Sequence, residues 1–310
     1  MNLNRFQIQV ATGRFTLPVV VIVCLLFWGI SLREWNELAS MVIIGLIGYV
    51  MIEANTAFNL IRTRTSLPVS IYGWVATALF FLHPFEWNNL IPFIFILSIF
   101  QLFRSYESSS PTNPIYHTFL FIGLGSLLFP QIICFLPLFL GSMIPFRAMN
   151  SRSFLASFIG IITPYWFLFG YAFLNDKMEL FLAPLKEMIH FYPLDYSQLS
   201  SAEILSWGMI TLLLLISGIH YVQIAYMDKT RTRIYHLFLV FAGFWASIFS
   251  FLQPVHLHEL MPIQLVCMAF LSGHLFSLTR NRFSGILFVV IFVAFILLMI
   301  YNLWMQYFNS

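Results

Sequence analysis

Charge is what this sequence has least of. Lys and Arg number 15 and Asp and Glu 12 in 310 residues, 9% of the chain. A soluble globular domain carries about 25%. So few charged side chains cannot cover a surface that faces water, which excludes a soluble enzyme and a disordered chain. Cysteine is scarce too. Cys24, Cys134 and Cys267 sit far apart inside apolar runs, with no C-x-x-C pair. That excludes a disulfide framework, and no metal site is expected from them. The net charge of +3 is too small to point to nucleic acid. There is no phosphate-binding P-loop, no C-x-x-C-H haem attachment and no H-E-x-x-H. No cofactor is therefore expected.

What fills the chain is apolar: 60% of it, with 36 phenylalanines and a mean hydropathy of +0.87. One helical crossing of a hydrocarbon core needs roughly 20 such residues. The runs between charges and prolines predict an all-α, polytopic transmembrane bundle, one domain over 1–310, with eleven spans. These lie at about 15–32, 39–60, 68–83, 90–103, 115–129, 131–146, 153–174, 204–226, 234–251, 258–278 and 284–306. The first is read as an uncleaved span, since no small-x-small cleavage site follows it. The short ones imply tilt or bilayer thinning.

Basic residues set the expected orientation. With the N-terminus in the cytoplasm, Arg5, Arg14, Arg62, Arg64, Arg104, Arg147, Arg152, Lys229, Arg231, Arg233, Arg280 and Arg282 fall inside. Only Arg33, Lys177 and Lys186 fall outside, a clear positive-inside bias. The C-terminus is then outside, and most acidic residues face out. In the long connection 175–203, Met178, Phe181, Leu182, Leu185, Met188, Ile189 and Tyr192 recur at helical spacing opposite Lys177, Glu179, Lys186, Glu187 and His190. This predicts an amphipathic interfacial helix over about 177–192, with Pro184 as a kink point.

A pattern F-L-x-P-x5-L-x-P occurs at Phe81-Leu82-His83-Pro84 with Leu90-Ile91-Pro92. It returns at Phe251-Leu252-Gln253-Pro254 with Leu260-Met261-Pro262, and a related turn falls at Leu128-Phe129-Pro130. Proline ends one helix and suits the first turn of the next.

Ionisable groups at membrane depth are the natural functional candidates. Glu53 stands out, with Thr56 and Asn59 following at spacing three on one face. That stripe suits a transported solute or a lipid head group. At the outer ends, Glu34 and Glu37 are candidate general bases, with Arg33 or Lys186 near a phosphate. His83, Glu86, His256, His258 and Glu259 gather at the same level. His117, His220, His236 and His274, within or beside spans, read as helix-bridging donors. The inner arginines, Arg62, Arg64, Arg147 and Arg152, read as topology anchors that also suit a lipid phosphate.

The rhythm from Asn59-Leu60-Ile61-Arg62 through Ser66-Leu67-Pro68, Leu128-Phe129-Pro130 and Phe146-Arg147 to Ser153-Phe154-Leu155 and Gly160-Ile161-Ile162-Thr163-Pro164-Tyr165 resembles an uncharacterised family of polytopic inner-membrane proteins of Bacteroidetes-type bacteria. The proline-hinged hairpins are also loosely similar to the C-terminal helices of multi-span, polyprenyl-phosphate-dependent glycosyltransferases. Those enzymes carry an acidic motif on a long first outer loop; here that loop is 33–39, with Glu34 and Glu37. The resemblances imply a bacterial inner-membrane protein of envelope glycan assembly, glycosyltransferase-like or polymerase-like, with a polyprenyl-phosphate-linked substrate as partner. A small-solute or lipid transporter using Glu53, and a non-catalytic scaffold for a membrane partner, are the alternatives.

Overall fold

The computed structural model describes residues 3–31, 35–279 and 281–308. Among them no strand occurs, and the helices are α1 (Leu3–Thr12), α2 (Thr16–Ser31), α3 (Glu37–Phe58), α4 (Leu67–Ala78), α5 (Ile91–Arg104), α6 (Thr112–Leu128), α7 (Leu136–Ser142), α8 (Ser151–Leu174), α9 (Met178–Glu187), α10 (Ser201–Ile224), α11 (Thr230–Leu252), α12 (Leu257–Leu278) and α13 (Arg282–Phe308). The chain divides into two compact units. Residues 1–86 with 195–310 form unit 1, and residues 87–194 form unit 2.

Seven helices are long and apolar enough to cross a membrane, or eight if the pair α1–α2, bent by 85°, counts as one span. This makes the chain a multi-pass membrane protein. Eleven spans were expected, and four of those runs form helices of fewer than 18 residues. The run 68–83 forms α4, 12 residues, then a 3-10 turn at Phe80–Leu82. The run 131–146 splits into a 3-10 segment, Pro130–Phe135, and the 7-residue α7. The runs 115–129 and 15–32 form α6 and α2, of 17 and 16 residues. At 1.5 Å per residue, α4 is only about 18 Å long. At the run 131–146, Pro130 and Pro137 supply no amide to continue a helical ladder. The repeated F-L-x-P signature thus becomes a helix, a 3-10 segment and a new helix, at Phe80–Leu82 and again at Pro254–His256.

Local chemistry fixes several ends. Asn150 caps α8 by accepting the Ser153 amide at 2.8 Å. Ser200 and Glu203 form a reciprocal capping box on α10. Asn59 closes α3 in the left-handed region at φ 50°.

In unit 1, α12 is buried along almost its whole length, between α10, α11 and α4. It is apolar on all sides, as a central helix must be. Gly273 lets α4 cross it closely, since an added Cβ would lie 2.5 Å from Pro68 Cγ. Gln264, at mid-length, donates to Thr211 Oγ1 (2.8 Å) and Ser247 Oγ (2.9 Å), stitching α10, α11 and α12. Asn302 of α13 donates to the Ala78 carbonyl and to Ser206. α1, which the polar start of the sequence did not suggest, is held by Gln7. Its amide donates to the carbonyls of Phe276 and Thr279 at the end of α12.

In unit 2, α6 and α8 approach through glycine. A Cβ at Gly160 would meet the Tyr116 carbonyl at 2.6 Å, and one at Gly123 the Ile161 carbonyl at 2.8 Å. Tyr165 and Ser126 join the same pair by a 2.8 Å hydroxyl bond. The expected amphipathic segment forms the helix α9, shorter than 177–192, with Pro184 inside it and no residue buried. Glu187, at its end, accepts from Gln131 (3.2 Å) and Tyr192 (2.8 Å).

Candidate functional site

Unit 1 holds a polar centre where α10, α11, α12 and the α3–α4 loop meet. It is built from the local chain upward. α10 ends in a 3-10 turn, Ala225–Met227, and Asp228 follows in extended conformation. That turn folds the carboxylate back under α10, where the Tyr221 hydroxyl donates to Oδ2 at 3.3 Å. From α12, His274 Nε2 lies 3.0 Å from the same oxygen. From the α3–α4 loop, Arg62 Nε lies 3.1 Å from Oδ1, close enough for an ion pair but not aligned as a hydrogen bond. Asn55 places that arginine, because its side chain accepts the Ile61 amide and donates to the Thr65 carbonyl.

Burial is uneven across this set. The side chains of Asp228 and His274 are each 1% exposed, whereas that of Arg62 is 52% exposed. His236 of α11 completes the centre. Its ring stacks on Tyr221 (centroids 4.8 Å, 23°) and meets His274 edge-on at 4.8 Å.

The hydrogen bonds assign the tautomers. His274 Nε2 faces a carboxylate oxygen and so carries the proton, leaving Nδ1 with a bare lone pair. His236 Nδ1 faces the Thr232 carbonyl at 3.1 Å and carries its proton there, leaving Nε2 bare. Both bare nitrogens are buried without a hydrogen-bond partner. Burial pushes the Asp228 carboxyl up. The hydrogen bond from His274 and the charge of Arg62 outweigh that and hold it below the usual carboxylate range. The centre is an anchored carboxylate, one imidazole that donates to it, and a second imidazole in ring contact with the first. Such a set can hold and pass a proton.

A second carboxylate–imidazole pair sits at the other end of α10 and α12. Glu203 Oε1 lies 2.7 Å from His258 Nε2, with Glu259 and Glu86 near enough to act on that imidazole electrostatically. Close by in sequence, His83 stacks on Trp28 at 3.7 Å. Of the five residues expected to gather, His258, Glu259 and Glu86 therefore lie near one another, with Glu203 as an added member. His256 is buried.

The sequence-derived candidates fall elsewhere. Arg33 and Glu34 lie outside the described residues. Glu37 is buried in the first turn of α3, where a carboxylate suits the helix dipole. Glu53 and Thr56 are exposed on α3, Thr56 spends its hydroxyl on the Ile52 carbonyl, and Asn59 is the exposed cap. Glu37 and Glu53 are about 24 Å apart along the helix, too far to share a site. Lys186 is exposed on α9 of unit 2. Of the histidines expected to bridge helices, His274 reaches Asp228 and His220 reaches Thr279 (3.0 Å), whereas His117 and His236 bond carbonyls of their own helices.

Asp228 itself was missed. The available signal was an acidic residue set among Lys229, Arg231 and Arg233, against the charge pattern of the chain. Among the described residues no three His, Cys, Asp or Glu side chains are grouped to hold a metal ion. Comparison with protein-family models, with curated proteins and with solved structures returns no match, so the reading of this centre stands on its own geometry.

Proposed function

We propose that the protein acts in the bacterial inner membrane on an anionic, lipid-linked substrate of envelope assembly, with the Asp228–His274 pair as its acid–base centre. One observation carries this reading: a buried carboxylate is paired with a half-exposed arginine that does not hydrogen-bond it. An incoming phosphate can take Arg62 by bidentate hydrogen bonds, which are stronger than that single unaligned contact. The carboxylate is then left to His274, positioned to orient the imidazole and to stabilise it when protonated. The basic residues around this end, and the resemblance to inner-membrane families, support the choice of membrane and a cytoplasmic side for the centre.

The sequence reading put the chemistry at the outer face, on Glu34 and Glu37. The inner centre is favoured because it joins acid, base and phosphate-binding groups within hydrogen-bond reach. The test is complementation in a strain lacking the gene, with extracted lipids followed by mass spectrometry. A lipid-phosphate intermediate should accumulate on deletion. The wild-type chain should clear it, and Asp228→Asn and His274→Gln should not, at matched protein level. Full clearance by both variants would remove the assignment.

The transporter alternative draws on a different observation, the exposed Glu53 on a membrane-length helix. Under it, Glu53→Gln abolishes complementation while Asp228→Asn retains it.

A further inference from the structure

A cavity of about 590 Å³ lies in unit 1 and has no part in the acid–base centre. We propose that it holds one acyl chain of an anionic membrane phospholipid, whose phosphate rests against Arg14. Its volume falls within the roughly 300–1,000 Å³ of ordinary ligand pockets. Its walls are apolar, among them Val20 of α2, Ile71 and Trp74 of α4, and Phe292 and Phe295 of α13.

The cavity exists because α1 and α2 meet at 85°. The bend is pinned on both sides. Gln7 ties α1 to the end of α12, and Thr65 donates to the Ala11 carbonyl at 2.5 Å. Thr16, at the start of α2, donates back to the Val10 carbonyl at 2.7 Å. The elbow cannot close the space by straightening without breaking these bonds.

The occupant follows from three features. Water gains nothing in a space walled by hydrocarbon, since it needs polar partners. Two apolar lining residues, Phe15 and Val19, are 79% and 55% exposed, so the space is open at the surface there. Arg14, exposed, stands between Gly13 and Phe15, both of which line the cavity. An apolar interior and an exposed arginine next in sequence to two of its lining residues match a lipid with an apolar tail and a phosphate head.

The experiment uses the full chain in vesicles of phosphatidylglycerol or of phosphatidylcholine, each doped with the same lipid bearing a photoreactive diazirine on one acyl chain. Crosslinked peptides are mapped by mass spectrometry. Crosslinks should concentrate on α2, α4 and α13 and should favour phosphatidylglycerol. Ile71→Trp, which fills the cavity, should cut them at least tenfold. Val20→Trp, on the opposite wall, should do the same, so that one misfolded variant does not decide the result. Arg14→Gln should keep the chain contacts and lose the preference for the anionic lipid. Labelling spread evenly over exposed helices such as α8, or unchanged by both tryptophans, would overturn the proposal. Displacement of the probe by a polyprenyl phosphate but not by phosphatidylglycerol would also overturn it. These outcomes do not bear on Asp228, so the two readings fail separately.

Discussion

The two ends of the α10–α12 pair carry the same chemistry in different surroundings. At one end Glu203 meets His258 at 2.7 Å; at the other Asp228 meets His274 at 3.0 Å. His258 and His274 both stand on α12, so about 24 Å separates the pairs along that helix. Their exposures set them apart. His258 is 42% and Glu203 12% exposed at the side chain, against 1% for both partners of the other pair. The shorter contact is therefore the weaker contributor. Solvent screens an exposed pair to a value between zero and about 1 kcal/mol. A buried pair does not add much net stability either, because desolvation offsets attraction, but removing one partner leaves an uncompensated group. Distance ranks the pairs one way and burial ranks their vulnerability the other.

The largest expected effect is that of Asp228→Ala or His274→Ala. Each should destabilise the folded protein by about 3–5 kcal/mol, read as a lowered melting temperature in detergent. If Asp228→Ala melts as the wild type does, the contrast between the two ends fails. Next comes the cycle of Asp228→Asn with His274→Leu. The double variant should be less destabilised than the sum of the singles, because the pair is lost as a unit.

Acid should remove the Asp228 contribution. The folded state holds the Asp228 carboxyl below its ordinary value. Its contribution is full above the unfolded value of about 3.9 and is lost as pH falls through the folded value. The difference in melting temperature between wild type and Asp228→Asn should therefore be constant near neutrality and shrink below about pH 4. A gap that persists at pH 2.5 would assign the effect to packing. The smallest effect belongs to His258→Gln, at most about 1 kcal/mol. Added salt should diminish it while leaving the Asp228 effect intact, since buried charges are poorly screened.

Composition made the helical membrane body legible, and most helix boundaries fall within a few residues of where the apolar runs end. Proline spacing carried the hairpin signature but not its consequence. Four runs that read as spans form helices shorter than 18 residues, because an apolar run reports burial and not helix length. The division into two units was also hidden. α12 is apolar on every face, so its sequence carries no directional stripe to say which helices surround it.

The acid–base centre was the least legible part. Its members come from positions 62, 221, 228, 236 and 274, and nothing in local spacing joins a loop arginine to a histidine on α12. Glu53 drew attention because it stood in a span; Asp228 did not, because it stood beside one. The fold turned the boundary residue inward and left the span residue exposed.

The glycine contact between α6 and α8 has a consequence for temperature. Backbone meets backbone there, with room for no Cβ at Gly123 or Gly160. In hydrocarbon such a contact draws on dispersion between the helices rather than on the release of water. Contacts driven by water release weaken on cooling. This one does not share that dependence, so α6 and α8 should stay closed in the cold, when contacts made in water around unit 2 have begun to loosen.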